Sequence, residues 1–283
     1  GMPGGVGAFI DSKFSSSVAH LNGKPRVAVC AYWGTGWGFT QEQNIARTNV
    51  NYALGMNLFN THGVLYSFLG ARNEFVPPEV HFYQPYWQTW RTFSDYVSRL
   101  SYALSQGAHR ADVALLYPMS TVHAHWRDGS KFGPPAEVAQ NTMFALAETI
   151  YAGGIDFDFV DERGLVDGKA AHGTMNLAAL EFPVVLLPTM TTIRLDALTR
   201  LREFVASGGT LIAFRSLPTA SVENGRDDPQ VRQLWQDLLG DYEAGGQSTV
   251  ERKHQSGGHA ILVRSNEAGV VAAIRAAIKP DVT

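Results

Sequence analysis

The sequence predicts an α/β protein built as two bodies, and three observations carry that reading. Short apolar runs alternate with segments of helical period along the chain, the pattern of parallel strands flanked by helices. Glycine and proline fall where those segments have to end. Aromatic residues crowd the first body: the stretch from Tyr32 to Tyr96 holds about half of all aromatic side chains, and the change of character near Ala108-His109 predicts a boundary there. At 283 residues the chain is long enough for two ordinary domains, each with its own core.

In the first body, Val27–Tyr32 is an apolar run bounded by Gly23-Lys24-Pro25 and Gly34, which predicts a buried strand. Gln41–Leu54 follows as a helix, with Thr40 at the N-cap, Gln43 three residues on as in a capping box, and Gly55 at the C′ position. Met56–Thr61 is the next strand. After a long aromatic loop, Trp90, Phe93, Val97, Leu100 and Leu104 recur at 3- and 4-residue spacing, which predicts a helix over Gln88–Gln106 with that stripe inward. Gly1 ahead of Met2 reads as the remnant of a cleaved tag, so the Gly-rich opening is set aside from the fold.

In the second body, strands are predicted at Asp112–Tyr117, Asp156–Val160, Val184–Leu187, Thr210–Phe214 and Ala260–Val263. Helices are predicted at Glu137–Ala152, around Leu195–Val205 and at Asp228–Leu239 and Asn266–Ile278, with Gly153-Gly154 and Gly208-Gly209 as stops. This is a complete doubly wound domain.

Bulk properties narrow the partners. A net charge of −3, with both signs scattered and no Lys/Arg block, gives no electrostatic reason to expect nucleic acid or an anionic membrane. The single cysteine, Cys30, rules out an internal disulfide framework and a Cys-rich zinc site. No apolar run approaches the ~20 residues of a membrane span and nothing resembles a signal peptide, so a cytoplasmic location is expected. No G-x-G-x-x-G joins a strand to a helix and no P-loop occurs, so no nucleotide is expected. His123-x-His125 with Asp128 is weak as a metal motif, and no metal or cofactor is predicted.

Several spaced motifs carry a family resemblance. The segments SSSVAHLNGKPRV, GTGWGFT, ALGMNLFNTHGVLYS, PPEVHFYQPYW and DYVSRLSYALSQGAHRADVALLYP resemble the last third of the catalytic barrel of α-L-rhamnosidase-type glycoside hydrolases, over roughly Asp11 to Met119. Downstream, the order strand, Pro188, helix, Gly208-Gly209, strand is similar to the class I amidotransferase-like domain that follows the barrel in family 42 β-galactosidases. The resemblance implies an α/β architecture with a partial (β/α) barrel segment over 1–108 and a flavodoxin-like, amidotransferase-like doubly wound domain over 109–283. It implies a carbohydrate partner and an assembly role for the second domain. Glutaminase chemistry needs a nucleophilic cysteine in that domain, which has none.

The resemblance also exposes a departure. In the family the strand matching Arg26–Cys30 usually ends in a catalytic glutamate, roughly R-V-L-S-E, and here that position is Cys30. Glycosidases commonly need two carboxylates ~5 to 9.5 Å apart. The second would come from an earlier barrel strand, and no sequence for such strands precedes Gly1. The expected catalytic pair is therefore absent. Glu74 and Glu79 in the aromatic loop are weak substitutes, since most loop carboxylates are simply solvated. Cys30 itself reads as a small hydrophobe rather than a nucleophile.

Sugar-binding candidates gather where strands end, because ligand loops of α/β barrels follow the strand C-termini. Asn60 and His62 form a polar pair suited to hydroxyls, with a satisfied buried histidine as the plainer reading. Trp37 and Trp87 offer flat rings to pyranose faces, and Arg72 and Gln84 could reach hydroxyls. The same aromatics would also serve to cover an exposed core. A two-strand parallel remnant leaves an open edge, to be covered by the α/β domain, a second copy or a separate polypeptide, which predicts a homo-oligomer. Three functional classes follow: a carbohydrate-active hydrolase or part of one, a non-catalytic sugar-binding module, and an assembly domain.

Overall fold

The computed structural model describes residues 5–32, 35, 36, 38–61, 82, 84–128, 131–243 and 246–278. The chain divides into two compact units, Gly1–Ala108 and His109–Thr283.

The first unit opens on a helix that sequence reasoning had set aside, α1 (Gly5–Leu21). Its inner side is largely polar: Ser12, Lys13, Ser16 and Ser17 are buried with Ile10. That composition lacks an apolar stripe, which is why periodicity does not find it. Two parallel βα pairs follow, β1 (Ala28–Ala31) with α2 (Gln41–Ala53), and β2 (Leu58–Thr61) with a 3₁₀ turn (Trp87–Thr89) that runs into α3 (Trp90–Leu104). The capping box at Thr40 is present: the Gln43 amide N–H reaches Thr40 Oγ1 at 3.3 Å and Gln43 Oε1 accepts from the Thr40 N–H at 2.8 Å.

Strands β1 and β2 pair in parallel, Ala28 opposite Leu58 through Ala31 opposite Thr61. Asn57, buried, holds the near end of both. Its Oδ1 accepts from Val27 N–H at 2.7 Å, and its Nδ2 donates to the carbonyls of Pro25 (2.9 Å) and Leu104 (3.3 Å), tying the last turn of α3 to the same corner. Val27–Tyr32 is not buried on both faces as expected. Val29, Ala31 and Phe59 pack with Tyr32, Trp90, Phe93 and Val97, whereas Ala28, Cys30, Leu58 and Asn60 are exposed. One face of this pair has helices on it, and the other is open. The α3 stripe is shorter than its period suggests: Phe93 is buried, but Leu104 is 48% exposed.

The second unit is a six-stranded sheet. Its parallel strands are β3 (Val113–Leu116), β6 (Phe157–Val160), β10 (Val184–Leu187), β12 (Thr210–Phe214) and β15 (His259–Val263). Between β3 and β6 lie α4 (Met119–Ala124), a hairpin of β4 (Trp126–Arg127) and β5 (Lys131–Phe132), and α5 (Pro134–Ala152). Between β6 and β10 lie α6 (Glu162–Asp167) and a meander of β7 (Lys169–Ala171), β8 (Thr174–Leu177) and β9 (Leu180–Phe182). The short strand β11 (Thr192–Ile193) precedes α7 (Leu195–Ala206), and β13 (Ala220–Ser221) precedes α8 (Pro229–Leu239). An antiparallel strand β14 (Thr249–Lys253) flanks β15, and α9 (Glu267–Ala277) ends the unit.

The sheet order is β14-β15-β12-β10-β3-β6. Numbered in chain order, the parallel strands run 2-1-3-4-5, a doubly wound arrangement. Right-handed crossovers that reverse direction after β6 send helices to opposite faces: α5 packs with α9, while α6, α7 and α8 pack in succession. Residues of β3, β6, β10 and β12 are buried throughout, and β3 and β10 read as continuous apolar runs, as both-face burial favours, whereas β6 carries the buried Asp158. Strand β14 is invisible to that logic because only Val250 of TVERK is buried, a charged edge strand.

Gly55 shows what the junction of α1 and α2 demands. Its φ is +91°, and a Cβ there would lie 2.7 Å from Ser16 Cβ on α1. Gly55→Ala therefore combines left-handed strain with a clash, and is expected to cost about 2 kcal/mol. A lowered urea midpoint with unchanged slope would register it, and an unchanged midpoint would mean that α1 does not pack at this corner.

Candidate functional site

The C-terminal ends of β1 and β2 are where a ligand would meet this α/β unit, and the residues there are Cys30, Ala31, Tyr32, Asn60 and Thr61. None is a carboxylate. Cys30 is not the buried hydrophobe expected of an apolar strand: it is exposed, directly opposite Asn60 in the parallel register, on the open face of the pair. The reason is the alternation of a strand, which turns Val29 and Ala31 to the helices and leaves Cys30 on the other side.

The other predicted contacts divide. Gln84 is buried and Trp87 is 40% exposed. The structure brings these two together in one turn, where the Trp87 N–H donates to the Gln84 carbonyl at 3.0 Å. Asn60 belongs with Cys30 instead. Trp37, His62 and Arg72, and the weak catalytic candidates Glu74 and Glu79, lie outside the described residues. The turn that presents Trp87 is anchored to the start of α2: Thr89 Oγ1 donates to Gln41 Oε1 at 3.0 Å, and Gln41 Nε2 donates to the Thr89 carbonyl at 3.3 Å. Behind it, Tyr86 stacks on Trp90 with ring centres 6.1 Å apart, and Trp90 meets Phe93 at 5.0 Å. Trp90 and Phe93 are thus core, while Trp87 keeps an exposed ring suited to the apolar face of a sugar.

Beneath the strand ends runs a buried polar seam that the sequence reading missed. Asn44, Thr48 and Tyr52 are spaced four apart on α2 and all are buried. Thr48 Oγ1 donates to the Asn44 carbonyl at 2.6 Å, which leaves it to accept from the Tyr32 hydroxyl, also at 2.6 Å. Tyr52 hydrogen-bonds the Val97 carbonyl and Ser101 Oγ, both at 2.8 Å, clamping α2 to α3. Neither side-chain polar atom of fully buried Asn44 has a hydrogen-bond partner, a condition usually met by a water or a ligand group. The i, i+4, i+8 spacing was a signal in the sequence, but the residues are polar and a search for apolar stripes passes over them.

Tyr32 closes β1 in a left-handed conformation, φ +68°. Such strain in a non-glycine residue at a strand end persists only where surrounding contacts enforce it. Here they are Thr48 and the edge of Phe93, with ring centres 5.9 Å apart.

In the second unit the crevice between the ends of β3 and β10, where the winding reverses, is the position at which doubly wound sheets bind ligands. It is occupied by the protein's own bonds. Buried Glu162 accepts from Ser120 N–H (3.3 Å) and Arg194 N–H (2.7 Å), spanning the starts of α4 and α7. Burial raises its carboxyl above the usual range against the opposing pull of those donors. Thr121 Oγ1 donates to the Thr192 carbonyl and accepts from the Thr191 and Thr192 N–H groups, each at 3.1 Å. His125 Nε2 lies 2.9 Å from Thr191 Oγ1, so this ring belongs to the same network rather than to a metal site with His123 and Asp128. The residues that follow β10 are Pro188, Thr189 and Met190, with no cysteine for amidotransferase chemistry.

Burial drives the Tyr32 hydroxyl from its ordinary 10.0 up to about 12. The unfolded chain ionises first, so the contribution of Tyr32 is complete below pH 10 and is lost as pH rises toward 12, by about 2–3 kcal/mol. Tyr32→Phe is expected to cost about 1 kcal/mol at neutral pH through the lost hydrogen bond and to flatten this alkaline loss. Urea unfolding of both proteins at pH 8 and pH 11.5 tests it, and parallel losses in the two would refute the assignment.

Comparison with known proteins follows from this geometry. Residues 6–283 match the model of glycoside hydrolase family 106, α-L-rhamnosidase. A Formosa agariphila protein named "Putative beta-glucuronidase" is 25% identical over 244 residues, 84% of this chain and 19% of that protein. The rhamnosidase of Novosphingobium sp. PP1Y superposes with a TM-score of 0.63 at 18% identity, over 94% of this chain and 24% of that one. A β-galactosidase of Bacillus circulans sp. alkalophilus gives a TM-score of 0.65 at 13% identity, over 94% and 47%. At these identities the solved structures establish the fold alone, and the chain spans about a fifth to a half of the length of these relatives. With nearly its whole length matched, the chain belongs to the α-L-rhamnosidase family of glycoside hydrolases, family 106.

Proposed function

We propose that residues 1–108 are the C-terminal portion of a glycoside-hydrolase (β/α) barrel and residues 109–283 a flavodoxin-like, amidotransferase-like domain, in a protein acting on rhamnosides or related glycosides. The observation that carries this reading is the open face of β1 and β2. Two parallel βα units have helices on one side and present Ala28, Cys30, Leu58 and Asn60 to solvent on the other. In a closed barrel that second face is the interior, lined by side chains from the other strands. Family membership supplies the carbohydrate class, and the strand order 2-1-3-4-5 supports the second assignment.

Catalysis is not carried by β1. Cys30 stands where the resemblance places a glutamate, and the described strand ends bring no carboxylate to the pair needed for glycoside cleavage. The described strand ends fit sugar binding better, with the Trp87 ring for stacking and Asn60 for a hydroxyl. Self-association through the uncovered face is a corollary for the chain by itself.

The test is hydrolysis of an aryl α-L-rhamnoside by the purified chain, with thermal shifts by L-rhamnose measured in parallel. No turnover above buffer is expected, together with a rise in Tm that falls at least several-fold in Trp87→Ala. Turnover abolished by Glu74→Gln or Glu79→Gln would overturn the catalytic assignment, and stabilisation unaltered in Trp87→Ala would overturn the binding one.

A further inference from the structure

A concave site lies within the unit His109–Thr283, with a lining that does not include the crevice residue Glu162. A cavity of about 180 Å³ opens at the carboxyl ends of β12 and β15, the edge of a parallel sheet at which ligands bind. Three arginines reach it from three elements: Arg215 directly after β12, Arg232 in the first turns of α8, and Arg264 directly after β15.

One of these charges is paired within the protein, and two are not. Arg215 is paired with Glu267 at 3.3 Å and lies over the Phe214 ring. Arg264 spends one donor on the Tyr242 carbonyl at 2.5 Å, which fixes its plane without meeting its charge. Among the described residues neither Arg232 nor Arg264 has an ion-pair partner. Acidic residues line the cavity too, and the carboxylate of buried Asp228 is held by its own neighbours, accepting from Ser221 Oγ (2.5 Å), Asn224 Nδ2 (2.9 Å) and Gln230 N–H (2.8 Å). Asp227 and Glu243 are exposed.

The backbone is strained at the same place. Arg215 (φ +61°) and Asp227 (φ +52°), both non-glycine residues in the left-handed region, line the cavity. Strain of this kind clusters at binding sites because it fixes side-chain directions that relaxed backbone would not give. A guanidinium presents a planar fork of donors that matches an oxyanion with two hydrogen bonds. The volume accommodates that group with a small body attached, and Ser216 and Thr219 also line it.

We propose that this cavity binds a small ligand bearing an oxyanion, a carboxylate, sulfate or phosphate group, with Arg232 and Arg264 as the residues that hold the charge.

The experiment is a thermal-shift and calorimetric titration of the whole chain with sodium sulfate, sodium phosphate, D-glucuronate and D-glucose, at constant ionic strength so that screening does not vary. Saturable stabilisation by at least one anion and none by glucose is expected, weakened at least tenfold in Arg232→Gln and in Arg232→Gln/Arg264→Gln. The single variant removes no hydrogen bond found in the fold, which keeps the test valid if Arg264→Gln disturbs the Tyr242 segment. Arg202→Gln, whose side chain pairs with Asp237 at 3.5 Å, serves as the unchanged control. Stabilisation by glucuronate but not by the inorganic ions would assign the ligand to sugar acids, and stabilisation by all three would assign it to the oxyanion itself. Absence of any saturable shift, or equal affinity in the Arg232→Gln protein, would overturn the proposal.

Discussion

A parallel strand pair is most stable when both of its faces are removed from water, and the two units of this protein differ in how far they meet that requirement. In the second unit it is met internally, with α5 and α9 on one side and α6, α7 and α8 on the other, and the central strands are buried throughout. In the first unit α2 and α3 accompany a single buried face, and Leu58, 43% exposed, lies on the other. Everything proposed about the first unit stems from that asymmetry. That face carries Ala28, Cys30, Leu58 and Asn60, and the proposed (β/α) barrel would cover it with side chains from other strands.

The covered side of the first unit is held by polar rather than apolar complementarity. Asn57 gathers the amino ends of the strands and the last turn of α3, and the seam from Asn44 to Tyr52 locks α2 to its neighbours through hydroxyl groups. Buried hydrogen bonds are directional, so they specify one arrangement where a smooth apolar contact would permit sliding. The strained backbone of Tyr32 is the visible cost of that specification, and it lies one residue beyond the strand end, next to Ala31. Rigid support of this kind suits a strand end that has to present side chains to a ligand.

Much of the second unit was legible in the sequence because its physics is simple. Val184–Leu187 and Thr210–Phe214 are strands since only burial on both faces tolerates such runs, and Gly208-Gly209 ends α7 where a Cβ at Gly209 would strike the Phe204 ring. The elements that escaped were those without an apolar signature or too short to show one: α1 with its serine face, charged β14, the six-residue helices α4 and α6, and the two- to four-residue strands β4, β5, β7, β8, β9, β11 and β13. The candidate site was less legible. Asn60, Gln84 and Trp87 are candidates from their place near strand ends, but the partition of Trp87 to solvent and Trp90 to the core depends on where the 3₁₀ turn meets α3, which spacing does not reveal.

What the sequence by itself determined is therefore the order of the main elements, the two bodies and the family likeness, since these depend on residue identity and local period. What only the tertiary structure decided is which residues face which environment. Cys30 is exposed because alternation in β1 assigns Val29 and Ala31 to the helices. Arg215, Arg232 and Arg264 share one cavity because parallel winding brings the ends of β12 and β15 beside α8, although tens of residues separate them along the chain. Such groupings depend on long-range packing, and no local window of sequence contains them.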